Sequence, residues 1–208
     1  MIELFIIEVM LITVSGALSP GPLTIATLRK GLDEGWKAGF KSSLGHMTFE
    51  FPLVLALALG AAQTFTLKIF RIIIGFVGSF ILALFGYMQL KSNSSDDSFE
   101  TKFMGGSAFW IGFSLSAFNP YFIVWWATVG LKLVIDALSM ASLIGILIMY
   151  IAHVWIDYAW LSFICYLAFK GKSLLNEKTI KILNLILSSL MFFFSGYFIF
   201  RVYMELLG

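Results

Sequence analysis

The stretch "LIGILIMYIAHVWIDYAWLSFICYLAF", residues 143–169, is almost continuously apolar, yet His153 and Asp157 lie four residues apart within it. A run of this length is long enough to cross the ~30 Å hydrocarbon core of a bilayer as a helix. Residues i and i+4 share one helical face, so the two side chains form a polar stripe. An acid facing lipid would cost at least ~2.5–3.5 kcal/mol, so we expect the stripe to face protein or a water-filled cavity.

The composition of the whole chain agrees with a membrane-spanning stretch. Hydrophobic residues make up 60% and charged residues 12% of the 208 residues, whereas a soluble domain has about 45–50% and about 25%. The net charge of +2 is too small to indicate a nucleic-acid partner, and the single cysteine excludes an intramolecular disulfide. We therefore predict an all-α integral membrane protein. Its apolar runs predict six transmembrane helices, at 3–28, 39–61, 67–90, 104–131, 139–169 and 178–206.

A polar segment divides the chain into two halves of three predicted helices. Residues 1–91 form the first three-helix repeat, residues 92–103 a polar cytoplasmic linker, and residues 104–208 the second repeat of a single membrane domain. An odd number of spans in each half gives the halves opposite orientations, which predicts an inverted repeat. Ten of the 14 Lys and Arg residues fall on the side of the linker. That side is predicted to be cytoplasmic, and both termini to lie outside.

A second polar pair lies in the corresponding helix of the first half, where His46 precedes Glu50 by four residues. The chain has only two histidines, and each has an acid at position i+4. With 12 acids in 208 residues, both matches would arise by chance in roughly 0.3% of cases. We predict that His46, Glu50, His153 and Asp157 form one central site for substrate and protons.

Proline breaks are predicted in the first helix of each half. The first contains Ser19, Pro20, Gly21 and Pro22, and the second contains Asn119 and Pro120. Proline removes a backbone donor and clashes with a preceding carbonyl, so each helix should be interrupted within the membrane. A half-helix that begins at such a break directs its free N–H groups and positive dipole end at an anion. We expect these backbone sites to bind a substrate carboxylate.

The motifs "SPGP", "GFKSSLGH", "FGYMQLK", "NP" and "IDYAW" occur in order along the chain, one in each of the first five spans. In this order and over nearly the whole length, the chain resembles the LysE/RhtB family of small amino-acid exporters. The resemblance implies a secondary transporter of the plasma (inner) membrane that exports a cationic or small polar amino acid in exchange for protons. It implies no enzymatic activity and no cofactor, with the amino acid, protons and the lipid bilayer as partners.

Two positions depart from the family pattern. The family often has an acid directly after the glycine of the second helix, where this chain has His46, and a basic residue after Asn-Pro, where it has Tyr121. An alternative function is therefore open, the export of a divalent metal cation by the same two histidines and two carboxylates, a set that suits transition metals. A zincin-type protease is disfavoured, because HxxxE does not supply the HExxH arrangement. A purely structural role for the two pairs is the remaining alternative.

Two further groups of residues carry weaker expectations. Gly75, Gly78 and Gly86 give the third predicted helix a small-residue face, which is one way to form a homodimer. The aromatic clusters at 124–126 and 191–194 are expected to face lipid or to fill packing space.

Overall fold

A computed structural model describes residues 2–18, 21–61, 67–91, 107–172 and 177–207. The linker 92–103 and the positions Ser19 and Pro20 lie outside the described residues. Within them the chain is helical and contains no strand, as the sequence predicts. The α-helices are α1 (Ile2–Ala17), α2 (Pro22–Glu34), α3 (Trp36–Ala58), α4 (Lys68–Lys91), α5 (Ala108–Ala117), α6 (Pro120–Trp125), α7 (Leu131–Lys172) and α8 (Glu177–Leu207), and a π-helical turn at Trp126–Gly130 joins α6 to α7.

Several of these helices have the length and composition of membrane spans. Three stretches of the described chain are long and apolar enough to cross a bilayer, namely Lys68–Tyr87, Pro120–Lys172 and Lys181–Leu207. The stretch Ala108–Ala117 is apolar but shorter. Helices α1 and α3 are not among these three stretches. Helix α1 is shorter, with 16 residues before the first break, and α3 has 23 residues but carries the charged Lys37, Lys41 and Glu50. These features indicate a multi-pass membrane protein.

Helices α2 and α3 extend further than hydropathy predicts. The predicted loop at 29–38 is helical except around Gly35, whose φ of 64° lies in the left-handed region that favours glycine. Ion pairs at i,i+4 continue α2 past its apolar part: Arg29–Asp33 at 2.7 Å and Lys30–Glu34 at 3.3 Å. Charged residues end a hydropathy window but stabilise a helix when they alternate in this way, which explains the difference.

The long helix α7 is divided at Ala141 and Ser142, whose backbone dihedrals are not helical. Ser142 has a φ of 50°, a conformation that is uncommon for a residue with a Cβ. A Cβ on Gly145 would lie 1.9 Å from the carbonyl oxygen of Ala137. Only glycine therefore allows the segments on the two sides of the break to approach so closely, and the break forms a tight corner between two helical segments.

Helix α3 lies between α5 and α7 and contacts both through glycines. A Cβ on Gly45 would lie 1.9 Å from the carbonyl oxygen of Phe109, and a Cβ on Gly112 would lie 1.8 Å from that of Ser42. On the side of α7, a Cβ on Gly39 would lie 2.2 Å from the carbonyl oxygen of Leu161. Because these backbones touch, the polar side chains of α3 reach those of its two neighbours.

The small-residue face of α4 packs within the chain. Gly75 faces Val202, and Gly86 faces Met191 and Phe192, all on α8. The hydroxyls of Ser79 and Ser195 join the same two helices at 3.0 Å. These glycines therefore serve the α4–α8 contact, and a homodimer stays a prediction that does not depend on them.

Candidate functional site

The structure brings the two histidine–acid pairs together in the interior. His46 and Glu50 come from α3, and His153 and Asp157 from α7. The Nε2 atoms of His46 and His153 lie 3.0 and 3.1 Å from the same oxygen, Oε1 of Glu50. Oδ2 of Asp157 lies 3.3 Å from His153 Nε2 and 4.0 Å from His46 Nε2. All four residues are buried, so each contact occurs away from bulk solvent.

Glu50 is the centre of this cluster and has no exposed surface. Besides the two histidines, Trp126 donates from Nε1 to Oε1 at 3.1 Å, and the Tyr150 hydroxyl donates to Oε2 at 3.2 Å. A buried carboxylate is retained only when hydrogen bonds replace its lost water. These donors provide that replacement on both oxygens. The sequence did not predict either of them, and Trp126 belongs to the aromatic cluster that we expected to face lipid or pack.

A second layer of hydroxyls holds the two histidines. His153 Nδ1 lies 2.7 Å from Thr13 Oγ1, and His46 Nδ1 lies 2.6 Å from Ser116 Oγ. Thr13 is on α1 and Ser116 is on α5, so each broken helix contacts the histidine of the opposite half of the chain. Sequence spacing did not reveal these partners. A hydroxyl-bearing residue in the last turns before each break is the one sequence feature that could have indicated them.

The contacts of Glu50 require protons. Each approach of an imidazole Nε2 to Oε1 at about 3 Å needs one hydrogen between the two atoms, because two lone pairs would repel. A proton on Oε1 could serve only one of the two nitrogens. At least one histidine must therefore carry its proton on Nε2 in this arrangement, and the cluster is able to exchange protons at the Nε2–Oε1 contacts.

Asp157 is less completely paired than Glu50. Its main-chain carbonyl accepts a hydrogen bond from Ser43 Oγ at 3.1 Å. Its side-chain Oδ2 is buried and makes no hydrogen bond to any described residue, although His153 Nε2 lies nearby. A buried acceptor without a partner is costly. Asp157 is therefore the member of the cluster with an acceptor left over for a proton or a ligand.

One wall of a cavity of about 370 Å³ is formed by this cluster. Eight of its 21 lining residues are aromatic. Glu50 and Asp157 are the acidic residues among the described lining, and Lys and Arg are absent from it. Trp160 also lines the cavity, and its Nε1–H has no hydrogen-bond partner among the described residues. The aromatic lining residues are Tyr121, Phe122, Trp125, Trp126, Trp160, Phe194, Tyr197 and Phe198.

The two helix breaks border the same cavity but differ in their caps. Gly21, Pro22 and Asn119 all line it. Asn119 Oδ1 accepts hydrogen bonds from the backbone N–H groups of Tyr121 and Phe122 at 3.0 and 3.3 Å. Those two amides are therefore already hydrogen-bonded. The N-cap residue of α2 is Gly21, which has no side chain that could cap the helix as Asn119 does, so the two N-caps differ. The predicted positions Ser19 and Pro20 are not described.

The cluster also has the residue types of a metal site. One ligand atom from each of His46, Glu50 and Asp157 lies within 4.8 Å of the others. Atoms around a tetrahedral ion with bonds of about 2.1 Å are about 3.4 Å apart. The two separations at Glu50 Oε1 are 3.0 and 3.1 Å, which are ordinary hydrogen-bond distances. The residues are suitable ligands, and their present arrangement is that of a hydrogen-bonded cluster.

The comparisons with known proteins give one match. A family model described as LysE type translocator matches residues 14–201. That range contains both histidine–acid pairs and both helix breaks. No curated protein and no solved structure matches the chain.

Proposed function

Because the chain belongs to the LysE type translocator family, we propose that this transporter exports an amino acid from the cytoplasm in exchange for protons. The observation that carries the proposal is the cluster at Glu50, which combines exchangeable protons with a wall of the aromatic cavity. Ionisable residues inside a membrane protein are costly and typically mark a proton or substrate pathway. Here the proton-bearing groups and the cavity share the same side chains.

We further propose six spans arranged as two inverted three-helix repeats. Counting α1–α2 and α5–α6 as broken spans gives one discontinuous helix at the start of each half. The stretch Pro120–Lys172 has 53 residues, or about 80 Å at 1.5 Å per residue, which exceeds twice the thickness of the bilayer core. The corner at Ala141–Ser142 divides it into the end of the fourth span and the whole of the fifth.

Ion pairs lie at both ends of the bundle, as expected for a protein that spans a membrane. Asp33 pairs with Lys172, and Glu34 with Lys41 at 3.1 Å, at the end that the positive charges mark as cytoplasmic. At the opposite end, Lys132 pairs with Glu8 at 2.6 Å. The bundle thus has a charged rim at each end. We propose that it lies in the plasma (inner) membrane with both termini outside.

The substrate would bind between the cluster and the first helix break. Asp157 offers an acceptor for the ammonium group, and the N-terminus of α2, whose N-cap residue Gly21 has no side chain, offers its positive dipole end to the carboxylate. Glu50 and the two histidines would hold the protons that move in exchange. A cationic or small polar side chain would extend into the remaining cavity. The carboxylate is assigned to the break at Gly21, because Asn119 already caps the second one.

Export of a divalent cation is the second candidate, and the four polar residues of the cluster would then be its ligands. The cavity favours the organic substrate. A bare ion needs only the space enclosed by its ligands, whereas this cavity is about 370 Å³ and its lining is mostly apolar. Ligand sites for small molecules are typically apolar clefts with a few polar groups. We therefore rank amino-acid export first.

A thermal-shift screen of the purified protein in detergent tests the substrate. One arm contains the amino acids, cationic ones first, and the other contains Mn²⁺, Zn²⁺, Ni²⁺ and Co²⁺. A ligand at 100 times its Kd stabilises a protein by about 2.7 kcal/mol. We expect an amino acid to raise the Tm of the wild type and of Asp136→Asn, but not of Asp157→Asn. A shift with a metal alone would favour the second candidate.

A further inference from the structure

Hydroxyl groups at two positions restrict where the histidines of the cluster can carry a proton. Thr13 Oγ1 lies 2.7 Å from the carbonyl oxygen of Val9, and Ser116 Oγ lies 2.6 Å from that of Gly112. A carbonyl has no hydrogen, so each short contact requires the hydroxyl to donate its own. The hydroxyl oxygen can then only accept from the histidine on its other side.

The imidazoles must therefore donate from Nδ1. His153 Nδ1–H donates to Thr13, and His46 Nδ1–H donates to Ser116, at 2.7 and 2.6 Å. Nδ1 keeps its proton whether the ring is neutral or charged. The proton that each ring gains or loses is the one on Nε2, and both Nε2 atoms face Oε1 of Glu50. The tautomer of a histidine is set in this way by the partner of its other nitrogen.

These hydroxyls also join each histidine to a helix that ends at a break. Thr13 lies four residues before the end of α1, and Ser116 lies one residue before the end of α5. Both helices end at breaks beside the cavity. A shift of α1 would separate Thr13 from His153 on α7, and a shift of α5 would separate Ser116 from His46 on α3. Each separation would release the Nδ1 proton from its acceptor and the ring from its fixed tautomer.

We propose that Thr13 and Ser116 are positioning residues which hold both histidines in the Nδ1–H form, so that the cluster exchanges protons only at Nε2, and which thereby link proton exchange to the two broken helices. The groups that face this exchange are Glu50, Trp126, Tyr150 and Asp157. The tautomer part stands on geometry alone. The link to helix movement rests on the proposed transport function.

Nuclear magnetic resonance tests the tautomer directly, because the chain has only two histidines. The protein is labelled with ¹⁵N-histidine and titrated in detergent, and His46→Asn assigns the remaining ring as His153. We expect both Nδ1 atoms to keep their proton at every pH at which the protein is folded, with loss only from Nε2. A bare Nδ1 in the wild type at any pH would overturn the proposal.

The variants separate a positioning role from a merely structural one. Thr13→Val should move neutral His153 alone to the Nε2–H form, and Ser116→Ala should do so for His46 alone. Thr13→Ser keeps the hydroxyl and should leave the spectrum unchanged. The matched control is Ser114→Ala, since Ser114 is on the same helix as Ser116 and its hydroxyl donates to the carbonyl of Trp110. Unchanged tautomers in both Thr13→Val and Ser116→Ala would overturn the proposal.

Transport by reconstituted protein tests the link to the helices. We expect the pH dependence of amino-acid efflux to shift in Thr13→Val and in Ser116→Ala, and to be unchanged in Thr13→Ser and Ser114→Ala. An identical pH profile in all five proteins, together with the expected tautomer changes, would overturn the link. Efflux of no amino acid by the wild type would instead overturn the proposed function, and the tautomer would still be decided by the spectrum.

Discussion

Trp126, on the π-helical turn, donates its indole N–H to the carboxylate of Glu50 on α3 at 3.1 Å, and both side chains are fully buried. The π-helical turn adds a residue to the ordinary spacing, and such turns are frequent at functional sites. Trp126 on this turn is buried, whereas Val124 of the same aromatic cluster, 124–126, is 40% exposed. Glu50, the central acid of the histidine–acid cluster, is thus held by a residue from the second half of the chain.

The donors to Glu50 give the first prediction. Tyr150→Phe removes one oxygen and leaves Glu50 Oε2 without this donor, which should lower the free energy of unfolding by about 1.5–3 kcal/mol, the range for a hydrogen bond to a charged group. Trp126→Phe should cost more, because it also empties space in the core. Melting in detergent measures both. Tyr166→Phe, at a residue that is 45% exposed, is the control. An equal loss in the control would show that the Glu50 contact adds nothing.

The contact between α3 and α5 gives the second prediction. A Cβ on Gly112 would lie 1.8 Å from the carbonyl oxygen of Ser42. Gly112→Ala must push the two helices apart, and we expect a loss of at least about 1–3 kcal/mol in unfolding free energy, the usual cost of overpacking. The control is Gly196→Ala, because a Cβ there meets nothing within 4 Å. A Tm for Gly112→Ala equal to that of the control would contradict the close contact.

The corner in α7 gives the third prediction. Ser142 has a φ of 50°, which glycine adopts at no steric cost and other residues adopt at a cost of about 1–2 kcal/mol. Ser142→Gly should therefore raise the Tm. Ser139→Gly, in the regular helix three residues earlier, should lower it, because glycine costs about 0.5–1 kcal/mol inside a helix. A Tm decrease in both variants would mean that residue 142 is helical.

The ion pairs of Asp33 near the C-terminal end of α2 give the fourth prediction. Burial alone would raise the pKa of Asp33, but hydrogen bonds from Lys172 and Arg29 outweigh it, and the pKa lies below its ordinary value. Such a depressed pKa stabilises the fold above the unfolded-state value of about 3.9 and loses that effect as the pH falls through the folded-state value.

Asp33→Asn measures this contribution. The carboxylate is 44% exposed, so we expect a loss of only about 0.2–1 kcal/mol at pH 7. The difference in Tm between wild type and variant should shrink as the pH falls below the unfolded-state pKa of about 3.9, and it should also shrink in 1 M salt. A difference that is independent of both pH and salt would show that the pairs with Lys172 and Arg29 do not cause it.

Local patterns in the sequence predicted the all-helical fold and the pairing of each histidine with an acid. Spacing of four residues places His46 beside Glu50 within one helix whatever the rest of the chain does. Proline chemistry likewise predicted the interruption that the structure places between Ala117 and Pro120.

Contacts between helices could not be predicted in the same way. Thr13 and His153 are 140 residues apart in the chain, and no periodicity connects them. Trp126 was assigned to lipid or packing because its neighbours are apolar, and no sequence pattern indicated the π-helical turn on which it lies or its hydrogen bond to Glu50. Helix ends also differed, because hydropathy ends at Arg29 while the i,i+4 ion pairs continue the helix to Glu34.

Efflux from proteoliposomes tests the central claim most directly. Vesicles containing the protein are loaded with the radiolabelled amino acid that gives the largest thermal shift, and an inward proton gradient is imposed. We expect the gradient to accelerate efflux by the wild type and by Asp136→Asn, an acid outside the cavity, and to have no effect on Glu50→Gln or Asp157→Asn, both of which should remain folded. Proton-driven efflux by Glu50→Gln and Asp157→Asn at the wild-type rate would contradict the role of the buried cluster.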